Sequence, residues 1–347
     1  MKIIKKKLAN LTKCYSITPL RYNQQDCFLV AAEKADRCIL FDADGNEMDT
    51  IWSEPGGTMC MVQVPDTNGQ FLATHQFYSP NDSKEAKIVL VTPKATGHWK
   101  VKTLVSLPHV HRFDILHRNG VNYLFACTLK SGHQYKDDWS SPGKVYATML
   151  PRDLTLLDKL EMRVIKDNLL KNHGYCRITK DDFDAAIVSS ENGVFEFTPP
   201  ATGTDDWEIR TLLQEATSDA MMIDIDRDGE LELLTIAPFH GKNIYIYKKR
   251  YNEYKRIYHH KERAEFAHAI SGGIICGQPM AIVGHRQGEK NLILFHHDKE
   301  RQEIVSQIID KACGPANVYH YVRNGKDIII AANREIDEVA MYTITST

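Results

Sequence analysis

The sequence predicts an all-β fold, a seven-bladed β-propeller of four-stranded antiparallel blades that occupies residues 1–347 as one domain. Three observations support this prediction. One stretch alternates polar and apolar residues through three successive strands, similar stretches recur seven times, and the N-terminal segment resembles the one strand that the last repeat lacks.

The alternating stretch covers residues 222–247, MIDIDRDGELELLTIAPFHGKNIYIY. Asp224, Asp226 and Asp228 alternate up to Gly229, and Leu231 and later residues alternate into an apolar run. After a loop at 238–242, residues 243–247 alternate again. This pattern predicts a strand, an acidic turn, a second strand, a loop and a third strand.

Comparable apolar runs begin at seven places, 45 to 64 residues apart: Tyr15, Cys60, His111, Tyr175, Met221, His268 and Val318. Most are followed by a second and a third strand pattern, such as FLVAAE and CILFD in the first unit. Some units also show a fourth strand pattern, such as WKVKTLVSL or DWEIRTLLQE. Repeats of this length with four strands each are typical of propellers, which have about four to eight blades.

The N-terminal segment, residues 3–11, has the pattern of a fourth strand, whereas the seventh unit ends after its third strand. Pairing the two would close the ring and remove an exposed sheet edge. A pair of β-sandwiches is the competing interpretation, but it does not explain seven units of one kind.

Composition excludes several classes of protein. The net charge of −2 and the hydrophobic content of 43% give no bulk attraction to nucleic acid or membranes. We find no signal peptide and no long apolar run, and the eight cysteines form no CxxC pair, so we expect a cytoplasmic protein with reduced thiols. Glycine-rich nucleotide loops, GxSxG and HExxH are also absent from the sequence.

The segment DIDRDGELELLTIAP resembles an FG-GAP/VCBS-type repeat, DxDxDGxxE followed by an apolar strand, and residues 110–150 and 174–199 resemble it more weakly. The histidine-rich entry HVHRFDIL at 109–116 is similar to the propeller domain of aldos-2-ulose dehydratases. That resemblance implies a seven-bladed propeller acting on keto-sugars. Those enzymes carry further domains that this chain lacks.

The acidic turn offers hard oxygen ligands at the alternating spacing of a calcium loop, with Gly229 allowing a sharp turn. We expect a structural Ca²⁺ there, away from the active face; the alternative is a tight turn in which aspartates cap backbone amides without an ion. The predicted ligands are Asp224, Asp226, Asp228, Glu230 and Glu232.

In a four-stranded meander, the starts of first strands and the ends of second strands lie on one face of the ring. We call this the histidine face, because eight of the fifteen histidines fall there: His75, His109, His111, His133, His173, His240, His268 and His285. Imidazoles that converge from distant blades suit proton transfer or a divalent metal. We expect catalytic roles for His109, His111, His173, Tyr135, Arg286 and Lys130, with the first three also as metal ligands.

His75, His240, His268, His285 and Arg334 are expected to bind substrate on the same face. Two long loops, 76–87 and 131–144, would border it and supply Tyr78 and Trp139 to stack on sugar rings.

Two functions of different class follow. The first is a lyase, dehydratase or isomerase that acts on a keto-sugar or uronate-type sugar, small or oligomeric, by histidine-assisted proton abstraction with or without a metal. The second is a propeller that binds a glycan or a protein without catalysis.

Overall fold

The protein was analysed as a computed structural model that describes residues 1–95, 97–135, 137–202 and 206–346. It is an all-β ring of seven four-stranded antiparallel sheets, as predicted. The only helical elements in the described ranges are two 3-10 turns, Leu154–Leu156 and Arg334–Ile336. Within these ranges, no helix is long and apolar enough to cross a membrane.

Blades one to four follow each other along the chain, and each pairs its four strands in sequence order. The N-terminal strand is numbered β1, so blade one comprises β2 to β5. Their strands are β2 (Cys14–Tyr22), β3 (Gln25–Ala32), β4 (Cys38–Asp42), β5 (Glu47–Trp52), β6 (Met61–Gln63), β7 (Phe71–His75), β8 (Lys87–Ala95), β9 (His98–Ser106), β10 (Val110–Arg118), β11 (Val121–Thr128), β12 (Gly143–Met149), β13 (Arg163–Leu169), β14 (Gly174–Thr179), β15 (Asp184–Ser190), β16 (Gly193–Thr198) and β17 (Glu208–Leu213).

Blades five and six repeat this order, and blade seven takes its outermost strand from the N-terminus. Their strands are β18 (Asp219–Ile223), β19 (Glu232–Ala237), β20 (Asn243–Arg250), β21 (Glu253–His259), β22 (Ala267–Ile275), β23 (Gln278–His285), β24 (Leu292–Asp298), β25 (Glu303–Asp310), β26 (Asn317–Arg323), β27 (Lys326–Asn333), β28 (Glu338–Thr345) and β1 (Lys2–Asn10).

The predicted ring closure is confirmed. Strand β1 pairs antiparallel with β28 from Lys2 opposite Thr345 to Asn10 opposite Glu338. The Lys5 ammonium reinforces the pairing with ion pairs to Asp310 and Glu338.

Burial follows the position of each strand in its blade. The first strands surround a central channel, and each contacts the first strands of the neighbouring blades. The second strands are buried on both sides between blades, which explains their continuous apolar runs, for example at Phe125 in β11. The stacked cores join adjacent blades, as where Phe125 meets Phe197 of blade four at 5.3 Å between ring centroids. The fourth strands lie at the rim and are largely exposed.

Candidate functional site

The channel narrows at a group of polar side chains that three β-bulges place there. In β2, β10 and β22, the pairing with the second strand skips one residue near the histidine face. The skipped residues are Tyr15, His111 and His268. A bulge re-aims the extra side chain, and these three side chains meet in the channel.

Together with His173 and His240, these residues form what we call the histidine cluster. The Tyr15 hydroxyl lies 3.0 Å from Nε2 of His268 and 3.4 Å from Nε2 of His111. The Nε2 atoms of His173 and His240 are 3.3 Å apart. Tyr15, His111, His173 and His268 are each no more than 3% exposed.

Two members of the cluster are held by hydrogen bonds on the opposite ring nitrogen. Nδ1 of His173 lies 2.9 Å from a carboxylate oxygen of Asp219, and Nδ1 of His268 lies 2.8 Å from the carbonyl oxygen of Ala316. Because each Nδ1–H donates to an oxygen, each Nε2 keeps its lone pair free to face the cluster.

The contact between His173 and Asp219 depends on a close approach of blades four and five. Gly174 begins β14, and a Cβ there would lie 2.5 Å from the carbonyl oxygen of Ser218 and 2.7 Å from Cα of Asp219. The absence of a side chain at position 174 therefore lets the imidazole reach the next blade.

Burial favours the uncharged forms of three imidazoles and of the phenol in the cluster. Burial and the neighbouring imidazoles and arginines lower the pKa of His111, His240 and His268 well below the ordinary value. Burial raises the pKa of Tyr15 to about 12. Burial alone would also raise the pKa of Asp219, but its electrostatic interaction and hydrogen bond with His173 lower it, helped by Arg112 and Ser218, so this carboxyl stays ionised. Neutral imidazoles beside an ionised carboxylate are the protonation states that a metal site needs.

His173, His240 and His268 fit a metal by geometry. One ligand nitrogen from each lies within 4.8 Å of the others. Tetrahedral zinc with bonds of about 2.0–2.1 Å spaces its ligand nitrogens by about 3.3–3.4 Å, which matches the 3.3 Å between His173 and His240. The predicted metal set instead combined His173 with His109 and His111.

On the histidine face, an aromatic layer packs against His240 of the cluster. Phe239 stacks on His240 at 3.9 Å, and His240 stacks on Phe266 at 4.2 Å. Trp139 adds an edge contact to Phe239 at 5.0 Å. Cations lie over the outer rings: Lys130 over Trp139, Lys171 over Phe239 and Arg286 over Phe266.

On the opposite side of the cluster, the channel contains a cavity of about 430 Å³. Its inner end is formed by Asp219 and His268, and its outer end by Pro19 and Gln63, toward what we call the far face, where first strands turn into second strands. The walls carry Arg112, Asp114, Tyr175 and Arg177. The channel cavity thus reaches His268 of the cluster, whereas the sequence analysis expected the substrate on the histidine face.

His109 and His111 are two residues apart, but their side chains do not point to the same side. His109 precedes β10 with φ 63°, and the bulge at His111 separates the two directions. His109 bonds Ser83 at 2.7 Å and lies 5.9 Å from the His133 ring, while His111 lies 4.6 Å from the His173 ring. His109 therefore lies apart from the histidine cluster.

The remaining candidates are dispersed around the histidine face. His75 packs edge-on against Trp52, and His285 bonds the backbone of Gln287 and Asn291. Arg286 and Arg334 share Glu335, and Arg334 also binds Glu33.

The two border loops place their predicted residues differently. The Lys130 ammonium is fully buried and donates to Asn81 Oδ1 and to the carbonyl of Asp138, which fixes loop 131–144 to loop 76–87. Residue 136 of that loop lies outside the described residues. Trp139 joins the aromatic layer, the Tyr78 carbonyl accepts from Lys34, and Tyr135 is 67% exposed.

The acidic turn lies at the far-face end of β18, away from the histidine cluster, as the strand order requires. The Lys248 ammonium occupies its centre, 2.5 Å from Asp226, 2.6 Å from Asp228 and 3.1 Å from Glu232. Asp224 accepts from the amides of Asp228 and Gly229, and Glu230 donates its amide to Asp228. Asp224, Asp226 and Glu232 present oxygens within 4.8 Å of one another, so any calcium ion would compete with this ammonium.

The sequence reasoning did not single out Tyr15 or Arg112 as functional residues. Tyr15 was recognised only as the start of a strand, and Arg112 follows a histidine in a strand whose alternation gives no sign of a bulge. No sequence pattern marks either residue, because both depend on contacts between blades.

No family model and no curated protein matches the sequence. Among solved structures, virginiamycin B lyase from Staphylococcus aureus is similar at a TM-score of 0.60 and 15% identity, with 99% of each chain covered. The β-propeller domain of Cps50 (Swd1) from Myceliophteria thermophila gives a TM-score of 0.62 at 8% identity, over 99% of this chain and 100% of that one. The Dos1 propeller gives a TM-score of 0.58 at 8% identity, over 100% of this chain and 95% of that one.

The chain is a seven-bladed β-propeller. At these identities the similarities show the fold alone. The finer resemblance to FG-GAP/VCBS repeats and to aldos-2-ulose dehydratases has no support among these neighbours.

Proposed function

We propose that this propeller is a metal-dependent lyase or isomerase that removes a proton next to the carbonyl or carboxylate of a keto-sugar or uronate-type substrate. The observation that carries the proposal is the convergence of Nε2 atoms from His173, His240 and His268, two of them held by oxygen acceptors on Nδ1. Outer hydrogen bonds of this kind are typical of histidines that ligate metals.

The three imidazoles would hold a divalent transition metal, which when bound supplies positive charge to an enolate oxygen. Tyr15 and His111 are the adjacent proton-transfer groups. His111 is neutral at neutral pH, the form that accepts a proton, and Tyr15 remains a phenol because its pKa is raised to about 12.

For a β-elimination, the neutral imidazole takes the proton from the carbon next to the carbonyl. The carbon–carbon double bond forms as the bond from the β-carbon to oxygen breaks, and the Tyr15 hydroxyl gives its proton to the departing oxygen. No oxidant or reductant is needed. The expected product absorbs in the ultraviolet because the new double bond is conjugated with the carbonyl.

One solved structure of the same fold is named as a lyase, virginiamycin B lyase. At 15% identity this shows only that the fold accommodates such chemistry in another protein. A glycan- or protein-binding role without catalysis is the outcome if no turnover is found.

The test combines metal analysis with turnover. We expect the purified protein to bind one divalent transition metal, and His173→Ala, His240→Ala and His268→Ala each to lose it. Tyr15→Phe should keep the metal but lose activity about 10²–10⁴-fold on keto-sugars or uronides, because it removes only the proton donor.

His98→Ala serves as the control, since His98 is exposed at the rim. A protein that binds no transition metal and converts no member of a broad keto-sugar and uronide panel would overturn the proposal.

A further inference from the structure

Two cavities near the far face are neighbours. The channel cavity of about 430 Å³ and a groove of about 440 Å³ between blades one and seven are both lined by Pro19 and Gln63. Each falls within the range of small-molecule sites, about 300–1,000 Å³. A ligand longer than one sugar ring would therefore extend from the channel cavity past Pro19 and Gln63 toward the groove.

Among the described residues of the channel, Arg112 forms no direct ion pair, although its charge acts on the nearby carboxylate of Asp219. Its Nη1 donates to the carbonyl oxygen of Met59 at 3.2 Å, and its Nε is buried without a hydrogen-bond partner among the described residues. The guanidinium lies 5.9 Å from the centre of the Tyr15 ring. By contrast, Arg177 in the same channel faces Asp114 at 3.6 Å.

A buried donor without a partner costs free energy comparable to a lost hydrogen bond, and a guanidinium fork matches a carboxylate in shape. Arg112 therefore suits a carboxylate that lies next to the histidine cluster. A neutral keto-sugar would leave this cation unpaired.

The groove offers a stacking surface. Tyr319 and Tyr321 of β26 stack on each other at 5.5 Å and 24° between ring planes, and the Tyr321 hydroxyl is fixed by the carbonyl oxygen of Ala43. Arg21 and Arg323 line the same groove, each paired with an aspartate. Aromatic rings flanked by hydrogen-bond donors are suited to a hydroxylated ring.

We propose that the ligand is a carboxylate-bearing oligosaccharide that enters from the far face, with its carboxylate on Arg112 and a further sugar unit against Tyr319. The proposal rests on the proposed function for the identity of the reacting centre. The direction of entry has separate support, because Phe239 and Phe266 pack against His240 on the histidine face, whereas the channel cavity reaches His268 from the far face.

Binding is measured by calorimetry at equilibrium, with the metal removed by a chelator so that no turnover occurs. The probes are uronic acid oligomers of one to four units and neutral glucose oligomers of the same lengths. We expect the uronic trimer to bind at least tenfold more tightly than the monomer, and the neutral oligomers to bind at least tenfold more weakly than the uronic ones.

Arg112→Gln should weaken all uronic probes about tenfold or more, and Arg112→Lys, which keeps the charge, should weaken them less. Tyr319→Leu, which keeps an apolar side chain, should lower the affinity for the trimer to about that for the monomer. Tyr251→Ala is the matched control, since Tyr251 is a fully exposed tyrosine outside the groove.

Equal affinity for monomer and trimer, or loss of affinity in Tyr135→Ala instead of Tyr319→Leu, would overturn the proposal, and so would absence of binding. Because the assay needs neither metal nor turnover, a failure here is distinguishable from a failure of the proposed lyase or isomerase.

Discussion

At the scale of single residues, the interior of the ring keeps its imidazoles uncharged. Burial lowers the pKa of His75 and His109 to about 4, helped by Lys87 beside His75 and by His133 beside His109. In an unfolded chain a histidine titrates near about 6.5. Between these values the unfolded chain binds protons that the folded chain does not, so acid favours unfolding.

The folded protein should therefore lose stability as the pH falls from about 6.5 to about 4, and it should have its full stability above that window. Each such histidine contributes up to about 1.4 kcal/mol per pH unit. His75→Gln should make the dependence shallower by up to that amount. Urea unfolding at several pH values measures the slope.

The comparison for this prediction is His98→Gln at an exposed rim position, which should leave the slope unchanged. A slope that His75→Gln does not alter would show that folding does not lower the pKa of His75.

At the scale of the element, the acidic turn is neutralised from within blade five. Lys248 projects from β20 into three carboxylates, and burial of Glu232 raises the pKa of that carboxyl. The ammonium provides the positive charge that the sequence pattern assigned to calcium. The turn can therefore be stable as an ion-pair network.

Lys248→Met should lower the free energy of unfolding by about 2–4 kcal/mol, because it leaves several partly buried carboxylates without a counter-charge. Millimolar calcium should restore much of this loss in the variant and should stabilise the unmodified protein little. Thermal melting with calcium or with chelator measures both effects.

Lys255→Met is the matched control, because Lys255 pairs with Glu253 on the exposed rim. This substitution should lower the free energy of unfolding by less than about 1 kcal/mol. Strong stabilisation of the unmodified protein by calcium would show that the ion displaces the ammonium.

The same turn shows how far sequence patterns reach. Alternation predicted its flanking strands and its position, because a period of two is a property of neighbouring residues. Lys248 lies on β20, whereas the turn connects β18 to β19. The alternation does not show that this side chain reaches the turn, so its role could not be inferred. Likewise, the bulges at Tyr15, His111 and His268 depend on pairing registers, which the alternation does not specify.

At the scale of the whole molecule, ring closure was predictable, because seven repeats with one missing strand leave few alternatives. The grouping of His111, His173, His240 and His268 on one side of the ring followed from strand order. Which of the eight histidines actually meet did not, since that depends on interblade distances such as the approach allowed by Gly174.

Removal of residues 2–10 should open the ring. Strand β28 would then become an unpaired edge, and Asp310 and Glu338 would lose Lys5, so we expect a markedly lower melting temperature and aggregation. Calorimetry and light scattering measure these effects.

A peptide of residues 1–11 added in trans should restore solubility, whereas the same peptide with Lys6→Pro should not, because proline cannot donate to the ladder. A soluble deletion variant with unchanged melting would contradict the role of β1 in closure.

The pairing of β1 with β28 also imposes an order on biosynthesis. Lys2 leaves the ribosome long before its partner Thr345 is made. Contacts so distant along the chain form slowly. The other six blades contain strands adjacent in sequence and can form as the chain emerges, while β1 waits without its partner. Completion of blade seven is therefore the late step of folding, and a nascent chain stalled before β28 would carry an unsatisfied N-terminal strand.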